Sequence, residues 1–471
     1  MAPNRSLPPV LAVDIGSSSV RAALYDFRGK RLPNTLARQV YVLETDLDGR
    51  AVLDPAELWR QTELCIESAT KGWKNISAVG VSCFWHSLLG VDAKGDPLTA
   101  IYTWADSRCR GDAAELRQEL SERDVHAETG CMLRASFWPA KLRWLQRTKR
   151  GVFRKVHKWL SPAEWIQWKL TGESRTALGM ATGTGLFDPR ESTWSERMLE
   201  VAGISGEDLP ELSNTPTIWR GVPWFSAIGD GAAQNLGCDA GDEGTVAINF
   251  GTSAAIRQLR EKGPVRAPFG LFCYRVDERR FLVGGAVSNA GNLHAWCLRE
   301  LRLPEAPDEL EKQLAARPAP EHGLTVLPFW NAERAPSWNE DALGAIRGLR
   351  QSTSAIDILQ ATSEASLIGL ARVASLLKLH SSAKCVLSGG ILRSESSIQR
   401  MANVLGRPVY ASSEPEGSLR GAAIYALERL GVEPLRLKPE EPVRPERDIH
   451  KLYQTARRRQ ERWERLLRKP E

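Results

Sequence analysis

The hydrophobic pattern at the start of the chain predicts strands before any helix. Apolar residues over 10–15 and 20–25 predict two strands joined by a short turn, and a third strand is expected around 38–44. A helical pattern begins at residue 54, and the apolar stretch 76–84 predicts the next strand. The predicted order is therefore a three-strand meander, a helix and a further strand.

The predicted helix has clear signals at its start. Asp54 is expected to be the N-cap, Pro55 suits the first helical position, and Glu57 completes a capping box. The apolar positions that follow fall on one face, namely Leu58, Cys65 and Ile66.

This order excludes two common nucleotide-binding designs. A Rossmann unit passes from its first strand through a turn directly into a helix, whereas this chain passes into a second strand. The sequence also contains no GxxxxGK[ST] motif. A phosphate-binding loop, if present, must be of another kind.

The second half of the chain repeats this plan. GTVAINFGTSAAIRQL, from residue 244, again predicts strand, turn and strand. The further predicted elements are a strand at 281–288, a long helix at 355–379, a strand at 383–391 and helices near 395–405 and 418–430. Four positions of the two turns correspond in order: Asp14 to Asn249, Gly16 to Gly251, Ser17 to Thr252 and Ser18 to Ser253. Chance similarity of two short glycine turns is the alternative, and the matching strand order weighs against it.

These halves predict two similar domains, 1–240 and 241–445, with a boundary in the glycine-rich and acidic segment 237–244. Residues 446–471 predict a basic amphipathic helix, which could bind an acidic membrane surface or, as we favour, pack on the second domain. Its expected apolar face comprises Ile449, Leu452, Tyr453, Ala456, Trp463 and Leu467.

Composition narrows the class of protein. Hydrophobic residues make up 42% and charged residues 25%, as in soluble globular proteins, and no apolar run is long enough to span a membrane. The start of the chain does not resemble a signal peptide, so a cytoplasmic location is predicted. The eight cysteines form no CxxC motif, which favours buried, reduced thiols. The net charge of +6 lies largely in the last segment, so nucleic acid is not an expected partner and an anionic small substrate suits the charge equally well.

The two turns are suited to phosphate. A hairpin turn of glycine and small hydroxyl residues presents backbone N–H groups outward, and such a nest holds phosphate oxygens without a helix. Two such turns facing one another would clamp a triphosphate. Asp14, just before the first turn, would then meet a bound Mg²⁺ through water.

Longer motifs around these turns resemble the FGGY carbohydrate kinases of the actin-like ATPase superfamily, over about residues 9–430. The matching segments are VDIGSSSVRAALYD, NFGTSAAIR, WADSR, AKLRWL, LTG, ERAPSW, LSGGILRSESSIQRMANVLGRPV and EPEGSLRGAAIYA. VSCFWHSLLGVD, ATGTGLFD and AIGDGAAQNLG are similar to the gluconokinase branch. The resemblance implies an α/β fold with two ribonuclease H-like domains and an interdomain catalytic cleft.

The same resemblance implies ATP and Mg²⁺ as cofactors and a set of site residues. Asp230 would be the catalytic base, and Asp14 and Asp230 would serve the metal. The implied cofactor-binding residues are Gly16, Ser17, Ser18, Ser19, Arg21, Gly251, Thr252, Ser253, Gly389, Gly390 and Asn403. The implied substrate-binding residues are Trp85, His86, Trp104, Asp106, Arg108 and Asp230.

Several of these roles have structural alternatives. Asp230 could be an ordinary helix cap, His86 a structural histidine and Trp85 a core residue, while Asp106 and Arg108 could bind each other. Departures from the family pattern are Phe84 and Trp85, which are bulkier than expected, together with Ile391 and Ala332.

The predicted function is ATP-dependent phosphorylation of a sugar or sugar acid, with gluconate first and xylulose, another ketose or a polyol next. A catalytically silent sugar-binding regulator on the same fold is the alternative, and a chaperone-like or filament-forming ATPase is disfavoured. The expected partner is a small sugar, with no nucleic acid, no membrane and a possible homodimer.

Overall fold

The computed structural model describes residues 7–261, 265–317, 319–437 and 440–467, and they form two compact units. Unit 1 comprises Met1–Gly241, Leu259–Leu282 and Glu416–Arg436, and unit 2 comprises Asp242–Gln258, Val283–Pro415 and Leu437–Glu471. Within the described residues, no helix is both long enough and apolar enough to cross a membrane.

The helices and strands follow in chain order. The α-helices are α1 (Pro55–Thr70), α2 (Arg110–Glu119), α3 (Glu122–Thr129), α4 (Trp138–Thr148), α5 (Arg150–Phe153), α6 (Pro162–Thr171), α7 (Leu178–Ala181), α8 (Glu196–Ala202), α9 (Asp230–Gly237), α10 (Gly291–Glu300), α11 (Pro307–Ala315), α12 (Ala355–Leu377), α13 (Glu395–Leu405), α14 (Gly417–Arg429) and α15 (Arg447–Leu467). The strands are β1 (Val10–Ile15), β2 (Ser19–Tyr25), β3 (Ala37–Val40), β4 (Glu44–Thr45), β5 (Ala51–Leu53), β6 (Val79–Cys83), β7 (Leu89–Val91), β8 (Ile101–Tyr102), β9 (Lys158–Leu160), β10 (Arg175–Thr176), β11 (Phe187–Asp188), β12 (Thr193–Trp194), β13 (Glu211–Leu212), β14 (Thr217–Trp219), β15 (Val222–Trp224), β16 (Ile228–Gly229), β17 (Thr245–Phe250), β18 (Ala254–Arg260), β19 (Phe272–Arg275), β20 (Phe281–Val287), β21 (Thr325–Leu327), β22 (Ala345–Arg347), β23 (Lys384–Gly389) and β24 (Val409–Ala411).

The main sheet of unit 1 has β1 at its centre. The strands lie in the order β14-β15-β6-β1-β2-β3, and β16 also pairs with β6. β1 runs antiparallel to β2 and parallel to β6, with Asp14 opposite Arg21 on one side and Ser82 on the other. Every residue of β1 and β6 is buried, as expected for strands covered on both faces.

Unit 2 repeats this arrangement. β17 pairs antiparallel with β18 and parallel with β23, so that Asn249 lies opposite Ala255 and Ser388. β17 and β23 therefore occupy the places that β1 and β6 have in unit 1. The predicted meanders, the helix before each parallel strand and the duplicated plan are confirmed. The second turn is one residue shorter, because Phe250 pairs with Ala254 whereas Ile15 pairs with Val20.

Helix α1 starts where predicted but is capped differently. The Asp54 side chain accepts a hydrogen bond from the Ala56 N–H at 3.1 Å. Glu57 does not complete the predicted capping box, because its carboxylate binds Arg60 and Gln61 one turn ahead. The eight cysteines are buried free thiols, as predicted.

The compact units differ from the predicted domain limits. The prediction assigned all of 241–445 to the second domain, yet two segments of that range, Leu259–Leu282 and Glu416–Arg436, belong to unit 1. Buried Arg420 on α14 helps to explain why Glu416–Arg436 belongs to unit 1. Its guanidinium donates to the carbonyls of Gly29, Gly237 and Leu435, all in unit 1.

The C-terminal helix α15 is part of unit 2, in agreement with the favoured packing. Its buried stripe differs from the predicted face, however, and consists of Tyr453, Ala456, Gln460 and Glu464, while Leu452 and Leu467 are exposed. The polar members of this stripe have buried partners. The Tyr453 hydroxyl donates to Glu364 on α12, and the Gln460 amide donates to the Val326 carbonyl on β21. The apolar pattern alone could not indicate these polar partners.

Glycines allow α14 to approach its neighbours in unit 1 at backbone distance. A Cβ at Gly421 would lie 1.8 Å from the Ala233 carbonyl oxygen of α9, and one at Gly80 would lie 2.1 Å from the Ala422 carbonyl oxygen. Helix α14 thereby packs closely against both α9 and β6 within unit 1.

Replacing Gly421 with Ala should destabilise unit 1, because the new methyl group meets backbone that no side-chain rotation can move. We expect a loss of about 1–3 kcal/mol in the free energy of unfolding, measured by urea denaturation. Gly206→Ala is the control, since a Cβ there meets nothing within 4 Å, and it should change the value by less than about 0.5 kcal/mol. Equal stability of the two variants would contradict this packing.

Candidate functional site

Three parallel strands of unit 1 end at the same edge of the main sheet. β6 pairs with β1 on one side and with β16 on the other, and Cys83 lies opposite both Ile15 and Gly229. The carboxyl ends of parallel strands meet at one edge, so the segments that follow these strands come together there. This strand-end site, as we call it, brings together Asp14, the first turn, the Trp85-His86 segment and Asp230.

The two carboxylates lie on either side of β6. Burial raises the pKa of the Cys83 thiol, and the negative charges of Glu164, Asp230 and Asp14 act in the same direction. Both predicted metal-binding aspartates are thus close enough to Cys83 to affect it. Neighbouring strands lie about 4.8 Å apart, so the backbones of β1 and β16, on either side of β6, are separated by about 10 Å.

Asp230 is the first residue of α9 and is half-buried. Its Oδ1 accepts a hydrogen bond from the Gly231 N–H at 2.7 Å. The start of a helix favours negative charge, so the position suits a carboxylate.

Asp14 is buried and has two neighbours that fix its carboxylate. Its Oδ2 accepts hydrogen bonds from the Ser418 hydroxyl at 2.8 Å and from the Arg21 guanidinium, which also binds Glu416. Burial acts to lower the pKa of Arg21, but the charges of Asp14 and Glu416 outweigh it and the pKa is raised. Arg21, predicted to bind the cofactor, thus orients the carboxylate beside the first turn.

The other oxygen of this carboxylate fits a cation. Asp14 Oδ1 is buried and has no hydrogen-bond partner within the described part of the chain. Mg²⁺ is commonly held by one or two carboxylates, waters and substrate phosphates rather than by a full set of protein ligands. The described residues contain no group of three or more His, Cys, Asp or Glu side chains that could hold a metal.

The first turn is braced from one side by Tyr41. Its hydroxyl donates to the Gly16 carbonyl and its N–H donates to the Ser18 carbonyl at 3.1 Å, while Gly16 N–H donates to Ser19 at 2.9 Å. Tyr41 was not anticipated, and nothing in its local sequence indicates this role. The contact fixes the turn of Gly16, Ser17, Ser18 and Ser19.

The second turn, in unit 2, is braced by the start of α10. The N–H groups of Gly291 and Asn292 donate to the carbonyls of Gly251 and Thr252 at 3.0 and 3.1 Å, and Gly251 N–H donates to Ser253 at 2.9 Å. Gly291 is required here, since a Cβ would lie 2.5 Å from the Gly251 carbonyl oxygen.

The glycine pair at the end of β23 adjoins this turn. Gly389 has a φ of +86°, and a Cβ there would lie 2.5 Å from the Phe250 carbonyl oxygen, at the end of β17. This backbone approach is a structural reason for Gly389 that the sequence did not indicate. Gly390 follows at the start of a short 3₁₀ helix, Gly390–Arg393.

His86 follows β6 in a left-handed conformation, with a φ of +69°. Its Nδ1 lies 2.5 Å from the Gly183 carbonyl oxygen, which can only accept, so Nδ1 carries a hydrogen. The rings of Phe137 and Tyr274 lie edge-on to it, with centroids 4.7 and 5.8 Å away. The imidazole orientation is therefore well defined.

Trp85 belongs to the core, which was one of the two predicted alternatives. It is 6% exposed, and its indole N–H donates to the Gly179 carbonyl at 2.8 Å. A Cβ at Gly229 would lie 1.7 Å from the Trp85 ring, and one at Gly183 would lie 2.3 Å from it. The indole thus packs directly beneath Gly229, the residue that precedes Asp230.

Asp106 and Arg108 bind each other. The Arg108 guanidinium donates to both carboxylate oxygens of Asp106, at 3.0 and 2.5 Å, and lies 4.7 Å from the Trp144 ring centroid. The pair follows β8, which belongs to a separate sheet with β4 and β5. Half-buried Trp104 precedes this pair. A structural ion pair accounts for the contacts of Asp106 and Arg108.

A cavity of about 510 Å³ in unit 2 is lined by α13 and the segment before α15. Asn403 lines it but also holds Glu446, whose N–H it accepts at 2.7 Å. EPEGSLRGAAIYA, one of the segments that resemble the family, lies in unit 1 from Glu416 onward. There Glu416 and Ser418 bind Arg21 and Asp14.

Comparison with known proteins agrees with this arrangement. The FGGY family of carbohydrate kinases, N-terminal domain, matches residues 9–240, and its C-terminal domain matches residues 246–428. The chain belongs to the FGGY family of carbohydrate kinases. It is accordingly a phosphotransferase, and its fold is the two-domain α/β fold of the actin-like ATPase superfamily, as predicted.

Relatives within the family differ in their acceptors. A gluconokinase of Bacillus subtilis (strain 168) is 28% identical, covering 90% of this chain and 88% of the relative. A xylulose kinase of Escherichia coli (strain K12) is 26% identical, covering 88% and 89%. Among solved structures, a xylulose kinase and a gluconate kinase from Lactobacillus acidophilus superpose with TM-scores of 0.91 and 0.90, at 26% and 25% identity, each covering 98% of both chains.

The ion pair beneath the first turn gives a testable prediction. Arg21→Met leaves the Asp14 carboxylate buried without its cation, and we expect a loss of about 3 kcal/mol in the free energy of unfolding. Arg38→Met is a matched control, because Arg38 is the exposed cross-strand neighbour of Arg21 on β3 and its loss should cost less than about 0.5 kcal/mol. Urea unfolding that did not distinguish the two variants would show that Arg21 does not hold Asp14.

Proposed function

We propose that this kinase transfers the γ-phosphoryl group of ATP to a hydroxyl group of gluconate, with Asp230 as the general base. The observation that carries the proposal is the strand-end site, where Asp14 near the end of β1 and Asp230 directly after β16 lie on either side of β6. The Asp14 carboxylate is suited to the metal bound to the triphosphate, and the Asp230 carboxylate is suited to the acceptor hydroxyl.

The acceptor hydroxyl is a weak nucleophile until its proton can leave. In the proposed step its oxygen forms a bond to the γ-phosphorus, the bond from that phosphorus to the β,γ-bridging oxygen breaks, and the hydroxyl proton passes to the Asp230 carboxylate. ADP and the phosphorylated sugar acid are the products. Trp85, packed under Gly229, holds the base in place.

Mg²⁺, when bound, would be held by Asp14 Oδ1 together with water and phosphate oxygens, and it would neutralise phosphate charge. The backbone N–H groups and hydroxyls of Ser17, Ser18, Thr252 and Ser253 would bind phosphate oxygens. Asn403 would line the nucleoside cavity in unit 2.

His86 is proposed to orient the acceptor. The contact of Nδ1 with the Gly183 carbonyl fixes the ring beside the strand-end site, which suits His86 to a contact with the acceptor. Gluconate is favoured because two gluconokinases from Bacillus share 28% identity over about nine-tenths of this chain. Xylulose is the second candidate, supported by the solved xylulose kinase with a TM-score of 0.91.

A coupled ADP assay with gluconate, xylulose and glycerol tests the proposal. We expect gluconate to give the highest kcat/KM and Asp230→Asn to lower kcat by about 10²–10⁴-fold, as for loss of a general base, while ATP-analogue binding is retained. Asp48→Asn, at an exposed carboxylate of unit 1, should retain full activity. Preference for xylulose would overturn the gluconate assignment, and unchanged turnover in Asp230→Asn would overturn the role of the base.

A further inference from the structure

A second cavity of unit 1, of about 190 Å³, takes no part in the site described above. It lies between α3, the segment after β11 and the segment before β19. Its floor includes the buried residues His126, Gly130 and Cys273, while Arg123 and Arg266 stand exposed at its mouth. We refer to it as the arginine cavity.

The wall of the arginine cavity is positively charged. Three arginines line it, and among the described residues no Asp or Glu side chain does. The charge of Arg190 is balanced by Asp188, which does not line the cavity. The Arg190 guanidinium donates to both carboxylate oxygens of Asp188, at 3.3 and 2.9 Å. The charges of Arg123 and Arg266 therefore face the cavity without a carboxylate in the same wall.

Aromatic contacts hold the Arg123 guanidinium in one position. The Arg123 guanidinium lies 4.5 Å from the centroid of the Phe269 ring, and the His126 ring packs edge-on against the same ring at 5.4 Å. A guanidinium stacked on a ring loses less conformational entropy when it binds an anion. The arrangement is thus preorganised on the Arg123 side.

The histidine in the floor is neutral and anchored. His126 Nε2 lies 2.6 Å from the Leu271 carbonyl oxygen, so this nitrogen donates and the ring keeps its lone pair on Nδ1. Burial lowers the pKa of His126, which keeps the ring uncharged near neutral pH. The floor therefore adds no further positive charge and contributes a hydrogen-bond acceptor.

We propose that the arginine cavity binds a small organic phosphate. Two guanidinium groups match the charge of a phosphate monoester, about −1.5 to −2 at pH 7, and their planar donors suit its oxygens. A volume of 190 Å³ equals about six water molecules at ~30 Å³ each, enough for a small phosphorylated polyol. Val265, Ala267 and Phe269 supply apolar contacts for its carbon atoms.

β19 connects this cavity to the Trp85-His86 segment. Cys273 lines the cavity, and Tyr274, the next residue on the strand, points to the opposite face, as successive strand residues do. The Tyr274 ring centroid lies 4.9 Å from that of Trp85 and 5.8 Å from that of His86. A ligand that moves β19 would shift Tyr274 against His86. With the role proposed for His86 in orienting the acceptor, the bound phosphate is suited to a regulatory role.

Isothermal titration of glycerol 3-phosphate into the full chain tests the proposal, with glycerol as the uncharged probe. We expect saturable binding of the phosphate to the wild type and unchanged binding to Asp230→Asn. Binding should be at least about tenfold weaker in Arg123→Gln/Arg266→Gln, which loses two charged donors. Arg110→Gln/Arg154→Gln removes two exposed arginines of unit 1 outside the cavity and should bind like the wild type.

The alternatives give distinct results. Equal affinity in the Arg123→Gln/Arg266→Gln variant, or loss of binding in Asp230→Asn, would place the ligand in the catalytic site and overturn the proposal. Absence of saturable binding to the wild type at millimolar concentrations would also overturn it. Circular dichroism checks the fold, and the single Arg266→Gln variant, at an exposed residue, replaces the double variant if that one is misfolded. None of these readouts depends on the kinase's acceptor.

Discussion

The parallel pairing of β6 with both β1 and β16 is the constraint on which the site depends. Because Cys83 is opposite Ile15 and Gly229, the strands end level with one another, and the residues after them share one sheet edge. A shift of one residue in either pairing would turn the following side chain to the other face. The positions of Asp14 and Asp230 thus follow from sheet register rather than from loop conformation.

Buried groups on both sides keep this edge in place. Arg21 on β2 and Ser418 on α14 bind the Asp14 carboxylate, and Glu416 in turn binds Arg21. Trp85 fills the space under Gly229, because Gly183 and Gly229 leave room for its ring. The bulky side chain at this position therefore packs as a support beneath the residue that precedes Asp230.

Much of the fold could be predicted because its signals are local. Glycine turns between apolar strands and the cap at Asp54 determine β1, β2, β17, β18 and the start of α1. Contacts between distant segments could not be predicted. Three features depend on partners far along the chain. They are the hydrogen bond of Tyr41 to the first turn, the hydrogen bonds of Arg420 to backbone carbonyls, and the buried polar residues of α15. The predicted homodimer stays a prediction.

A crystal structure with a non-hydrolysable ATP analogue, Mg²⁺ and gluconate would test the central claim most directly. The measured quantity is the distance from the Asp230 carboxylate to the nearest gluconate hydroxyl. A proton acceptor must lie within hydrogen-bond reach, so we predict about 2.6–3.2 Å, with Asp14 on the metal side of the triphosphate. A gluconate bound with no hydroxyl within reach of Asp230, or with another carboxylate beside the reacting oxygen, would contradict the account.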